Sequence, residues 1–200
     1  YRNRDKEAIG QAKSRYETEI NLWKVYQYLF FKQWRELKKY ANDRDIQIIG
    51  DLPIYVSLDS VDVWTHPELF QLDENRIPIK VAGCPPDAFS DDGQLWGNPL
   101  YNWDYMEQTD FQWWINRIQY ICKVYDVLRI DHFRGFDSYY AIPYGEPTAK
   151  NGVWKKGPGM KLFNKVEETI GRQHIIAEDL GYLTKSVREM LKESGFPGMK

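Results

Sequence analysis

Cysteine is nearly absent from this 200-residue sequence: Cys84 and Cys122 are the only two. One falls in a loop-like stretch and the other in an expected helix, so no disulfide framework can be read and a reducing, cytoplasmic setting is expected. Neither sign of charge dominates, with 27 Lys and Arg against 29 Asp and Glu. A chain this balanced lacks the basic footprint of a nucleic-acid binder, and no nucleic-acid partner is expected. No apolar run approaches the roughly 18 residues of a membrane span, so no membrane partner is expected either. The opening "YRNRDKEAIG" has no apolar signal-peptide stretch and no initiator methionine, and the chain is expected to begin inside a longer protein. Aromatics, by contrast, are plentiful at 16%, including 8 Trp and 14 Tyr, which suits either a heavy core or a surface that stacks on flat apolar faces such as sugar rings.

The stretch "YETEINLWKVYQYLFFKQWRELKKYA" spaces Ile20, Trp23, Phe30, Trp34 and Leu37 at helical intervals, and the reading is a long amphipathic helix over 11–42 with Trp23 and Trp34 in the core. A β-branched run predicts a strand over 46–56 that carries Asp51 near its C-terminal end. From 57 to 109 no period is convincing, and a long functional loop is expected there. Asp110 can cap a helix over 110–125, with Trp114, Ile115, Ile118 and Cys122 on one apolar stripe. A strand over 126–132 follows, then a loop rich in Gly and Pro, a helix over 159–170, a strand over 173–179, and a helix over 185–194 opened by a Ser186 to Glu189 capping box.

Apolar strands alternating with helices imply an α/β fold with a parallel sheet covered by helices. An open doubly wound sheet and a closed barrel both fit that order. No Gly-x-Gly-x-x-Gly opens any helix, which favours the barrel, and 200 residues fall short of the about 250 that a barrel needs. The expectation is therefore part of a (β/α)8 TIM barrel, a fragment of one catalytic domain spanning 1–200, with a long active-site loop between barrel elements.

The segment "VLRIDHFRGF" sets Arg129 and Asp131 on one face of a strand and Leu128 and Ile130 on the other. With the apolar pair against the helices, a guanidinium beneath Asp131 favours an ionised carboxylate. In "IIAEDLG" the same alternation lets Glu178 point inward among apolar neighbours and across from another carboxylate, conditions that favour its protonated form. One charged and one protonated carboxyl are the equipment of a retaining glycosidase. Spacing alone leaves open a plainer reading, a buried structural pair and a glutamate that merely ends a strand.

Four blocks in order, "GDLPIYV", "PPDAFSDDGQLWGNPLYNW", "LRIDHFRGF" and "IIAEDLG", resemble the 4-α-glucanotransferases, also called amylomaltases or disproportionating enzymes, of the α-amylase group. The resemblance runs from about Ile46 to the end. It implies Asp131 as nucleophile, Glu178 as acid/base, Arg129 as the partner orienting the nucleophile, and Asp51 as an organiser of that cluster. It also implies a maltooligosaccharide or a starch- or glycogen-derived glucan as substrate, with no cofactor and no metal. A loop such as "GCPPDAFSDDGQLWGNPLY" folds over the acceptor side in that family, which makes Asp87, Gln94, Trp96 and Asn98 candidates for glucan contacts. Ala88 stands where many relatives carry tyrosine. The family's third carboxylate, an aspartate after a His in a later block, has no match here, so the chain by itself is expected to be inactive.

Competing readings are hydrolysis of the same bonds and a non-catalytic glucan-binding segment. A metal pair of Asp131 and His132 is disfavoured, because adjacent strand residues face opposite ways. Arg134 and Phe136 either line the cleft or pack its rim, and Asp59, Asp62, Ser57 and Ser60 read as turn and cap formers.

Overall fold

The structure, a computed structural model, describes residues 1–181 and 183–199. The chain divides into two units, Tyr1–Ile48 and Ile49–Lys200. The first holds α1 (Lys6–Arg15) and α2 (Glu17–Asn42). The single helix expected over 11–42 is thus two, interrupted at Tyr16, whose φ of −111° and ψ of 27° leave the helical region. The first part of α1, Lys6 to Gly10, went unread because Gly10 and scattered alanines give it little apolar period, although Asp5 caps it by accepting the Ala8 N–H at 2.8 Å. Trp23, expected in the core, is 66% exposed, and neither helix buries a residue. Two helices are too small a unit to cover an apolar stripe this wide.

The second unit begins with β1 (Ile49–Leu52), shorter than the strand expected over 46–56. Tertiary bonds take over where the ladder stops. Pro53 has no N–H to give, its carbonyl accepts from Arg117 at 2.9 Å, and the Ile54 carbonyl accepts the Tyr101 hydroxyl at 2.7 Å. On the other side Ile46 still bonds back to the end of α2, its N–H reaching the Ala41 carbonyl at 3.1 Å.

The stretch 57–109, expected as a loop, contains α3 (Val61–Thr65), a 3-10 turn at Pro67–Leu69, β2 (Lys80–Cys84), β3 (Gln94–Pro99) and α4 (Trp103–Gln108). Next come α5 (Gln112–Val124), β4 (Val127–Ile130), a 3-10 turn at Phe133–Phe136, β5 (Ser138–Pro143), β6 (Val153–Lys156), α6 (Met160–Ile170), β7 (Ile175–Ala177) and α7 (Lys185–Ser194). Two expected caps are replaced. α5 starts after Phe111 in a left-handed conformation without a side-chain cap, and Thr184, not Ser186, caps α7 by accepting the Val187 N–H. Ser186 instead donates to Asp137 at 3.0 Å.

The strands form two sheets in a mixed α/β arrangement. β1, β4 and β7 make a parallel sheet in the order β1-β4-β7. Leu52, Leu128, Ile130, Ile175 and Ala177 turn one face of it into the main core with Trp114 and Ile118 of α5, Leu162 and Val166 of α6 and Met190 of α7. β2, β3, β5 and β6 make an antiparallel sheet in the order β3-β2-β5-β6. Both stretches read as loops therefore meet in one sheet, since β2 pairs with β5 from Lys80↔Pro143 to Gly83↔Tyr140. No local period could announce a pairing that spans about sixty residues of chain.

Candidate active site

Alternation along β4 buries Leu128 and Ile130 and leaves Arg129 on the opposite face of the parallel sheet. Register does the rest, because Asp51 of β1 lies directly beside Arg129. The guanidinium donates through Nη1 to Asp51 Oδ1 at 2.5 Å and through Nη2 to Asp131 Oδ1 at 3.0 Å. One rigid fork thus ties two carboxylates together, a geometry a point-charge ammonium cannot reproduce. The hydrogen bond to Asp51, with the Asp131 contact behind it, raises the Arg129 pKa above its ordinary value.

Asp131 and Glu178 each lie just past the last laddered residue of their strands, yet both stay on it by backbone bonds. The Asp131 N–H donates to the Leu52 carbonyl and the Glu178 N–H to the Ile130 carbonyl, each at 3.0 Å. They stand at the C-terminal edge of a parallel sheet, where α/β folds place their chemistry. The surroundings expected for Glu178 are corrected. Its Oε2 accepts the His132 N–H at 3.0 Å and its Oε1 the Leu180 N–H at 2.7 Å, so main-chain donors rather than apolar neighbours hold the carboxyl. Both donors come from chain that leaves the sheet at this edge.

Past Asp131 the chain turns sharply, with His132 at φ 51° and ψ 46°. Phe133 and Phe136 are fully buried against Phe163, which anchors the turn. Burial of a side chain this size contributes about 1.5–3 kcal/mol, more than the 0–1 kcal/mol of a typical exposed ion pair, so apolar packing fixes this segment. The His132 ring sits edge-on to Trp96 at 4.9 Å. Burial, helped by the Arg134 charge and opposed by Asp131, pushes its pKa down to about 4 and keeps the imidazole neutral.

A cleft of about 910 Å³ opens beside this edge, with Glu178, His132, Asp87, Gln94 and Arg134 among its walls. Arg134 lies over the Trp154 ring at 4.2 Å, while Phe136 belongs to the core. Asp87 Oδ1 accepts the N–H groups of Phe89 and Ser90 and shapes the loop between β2 and β3. Trp96 is about one-third exposed, packs on Tyr55 at 6.1 Å, and donates its indole N–H to Gln94 at 3.0 Å. Asn98 donates to the Val56 carbonyl at 2.9 Å and braces the chain after β1. Sequence reasoning missed Trp154, Lys155 and Lys156, which β6 contributes to the cleft wall. Their signal was two aromatic runs around a Pro- and Gly-containing turn, "SYYAIPYGEPTAKNGVWKK", a hairpin pattern. Among the described residues, no group of three or more His, Cys, Asp and Glu is spaced to hold a metal ion.

Comparison with known proteins adds to this geometry. A family model described as 4-alpha-glucanotransferase matches residues 1–200. The chain is 57% identical over 198 residues to a 4-alpha-glucanotransferase of Clostridium butyricum, covering 98% of this chain and 41% of that protein. It is 48% identical over 199 residues to one of Thermus thermophilus, covering 40% of it. The solved amylomaltase from Streptococcus agalactiae in complex with acarbose superposes with a TM-score of 0.96 at 54% identity, over 98% of this chain and 40% of that one. The fold alone is shared with an amylomaltase from Corynebacterium glutamicum, with a TM-score of 0.74 at 22% identity over 86% of this chain and 24% of that one. The chain thus spans about two-fifths of the length of these 4-alpha-glucanotransferases and of the Streptococcus agalactiae amylomaltase.

Proposed function

This chain belongs to the 4-alpha-glucanotransferase family, and on that premise we propose that the full-length protein transfers segments of α-1,4-glucan to a sugar 4-hydroxyl with retention, the two sheets here being part of a (β/α)8 barrel and its active-site insertions. Asp131 attacks the anomeric carbon while Glu178 protonates the departing glycosidic oxygen, giving a glycosyl-enzyme ester and a shortened glucan. The acceptor's 4-hydroxyl then displaces Asp131, passing its proton to Glu178, and the α-1,4 bond reforms. Arg129 holds Asp131 in line and shares its charge with Asp51. The observation that carries this reading is the placement of Asp131 and Glu178 at one edge of neighbouring parallel strands, the first on the Arg129 fork and the second on the amide that follows it.

Asp87, Gln94, Trp96 and Asn98 belong to the insertion that in this reading excludes water and orients the acceptor, Asp87 and Asn98 by bracing it and Gln94 and Trp96 by facing glucan. The substrate class, maltooligosaccharide or longer α-glucan, is supported by the acarbose complex named for the Streptococcus agalactiae relative. No cofactor or metal enters the scheme. Free thiols at Cys84 and Cys122 suit a cytoplasmic setting. The 200 residues alone are expected to show no turnover.

Maltotriose incubated with the full-length protein is expected to yield glucose together with oligomers longer than the substrate. Glucose and maltose without longer products would assign hydrolysis instead. Asp131→Asn is expected to lower kcat by roughly 10³-fold or more while leaving the dissociation constant for maltooligosaccharide within a few-fold, read by steady-state kinetics and calorimetric titration. Native turnover in that variant would remove Asp131 from the mechanism.

A further inference from the structure

The parallel ladder between β4 and β7 ends on a side chain. The Leu128 N–H donates to the His174 carbonyl, and Glu178 donates back to Ile130. Even-numbered residues of β4 therefore face β7, and the two-residue period puts the His132 N–H opposite residue 178. It meets the side chain there: Glu178 Oε2 accepts it at 3.0 Å. The donor lies in the peptide unit that joins Asp131 to His132, so one rigid plane relates the nucleophile's α-carbon to the partner carboxyl.

The turn at His132 makes this handover local. Its positive φ lifts the chain out of the sheet and starts the 3-10 turn, whose first bond runs from the Gly135 N–H to the His132 carbonyl at 2.9 Å. Positive φ is rare for a residue with a side chain, and rarer for a β-branched one. The ring is held by Trp96 on one side, and Gly135 leaves it room on another, since a Cβ at Gly135 would stand 3.0 Å from His132 Cδ2.

We infer that His132 is a positioning residue acting through its backbone N–H, and that the left-handed turn at this position fixes the Glu178 carboxyl relative to Asp131. This rests on the reading of Asp131 and Glu178 as the reacting pair. At residue 132, asparagine or glycine can hold this left-handed turn where valine cannot.

The test uses the full-length protein with His132 replaced by its α-hydroxy acid analogue, which exchanges the N–H for an ester oxygen and keeps the imidazole. kcat for maltotriose disproportionation is expected to fall at least roughly tenfold with KM little changed. The pH profile of kcat is expected to depart from the native one, because the lost amide donates to a carboxyl that gives and takes the proton in the proposed reaction. His132→Asn and His132→Gly are expected to keep the native pH profile, and His132→Val to lose it. An ester variant with native kcat and native pH profile overturns the inference, as does loss of the native profile in the Asn and Gly variants alongside a native ester variant. Glu178→Gln separates the two levels: native turnover there sinks the proposed function itself, whereas an inactive Glu178→Gln beside a native ester variant sinks only the role of the amide.

Discussion

At the scale of single residues, the site is built on one guanidinium and one peptide bond. Arg129 uses separate nitrogens for Asp51 and Asp131, so lysine, with one compact charge, can satisfy only one of them well. Arg129→Lys in the full-length protein is expected to cut kcat by roughly 10- to 100-fold with a smaller change in KM, as befits lost alignment rather than lost binding. His132 supplies a pH test. Its folded pKa of about 4 lies below the ordinary value of 6.5, so the unfolded chain takes up the proton first. Its contribution to stability is complete above pH 6.5 and is lost as pH falls toward 4, at no more than about 1.4 kcal/mol per pH unit. Urea unfolding at about pH 7 and pH 5 checks this, and His132→Asn is expected to flatten the difference. Much at this scale was legible: the alternation "LRID" already assigns Arg129 and Asp131 to one face and Leu128 and Ile130 to the other, because a two-residue period leaves no third choice. The donors that hold Glu178 were not legible, since both belong to backbone whose direction depends on turns with no hydrophobic signature.

At the scale of elements, helices and parallel strands were readable where burial imposes a period, and the antiparallel sheet was not. β6 exposes every residue, and β3 is mostly exposed, so neither carries the alternation that marks a half-buried strand. Close backbone approach is what joins them to β2 and β5. Gly83 shows it, because a Cβ there would stand 2.1 Å from the Gln94 carbonyl oxygen and 2.5 Å from Ile142 Cδ1. Gly83→Ala is expected to push β3 away from β2 at a cost of about 1–3 kcal/mol, measurable as a lowered thermal midpoint. Activity is expected to drop further than stability predicts, since Gln94 and Cys84 at that pairing both line the cleft.

At the scale of the whole molecule, apolar surface remains uncovered in both units. On α2, Trp23, Tyr28, Phe30 and Leu37 are all more than half exposed, and Ile49 on β1 is 58% exposed at a sheet edge. Open edges and apolar patches of this kind invite self-association. The 200-residue chain produced by itself is expected to sediment as aggregates or oligomers and to bind a hydrophobic dye, in contrast to the full-length protein. No helix among the described residues is long and apolar enough to cross a membrane, so the exposed stripe of α2 is not a span.

Order along the chain and alternation within it were enough to determine the parallel α/β core and the two carboxylates at its edge, because burial forces side chains into fixed periods that survive in the sequence. Only tertiary structure decided that two apparent loops close into one sheet beside that edge, that Asp51 and Asp131 share a single guanidinium, and that Glu178 rests on main-chain amides. Those outcomes depend on register and backbone direction between segments far apart in the chain, and no local period records them.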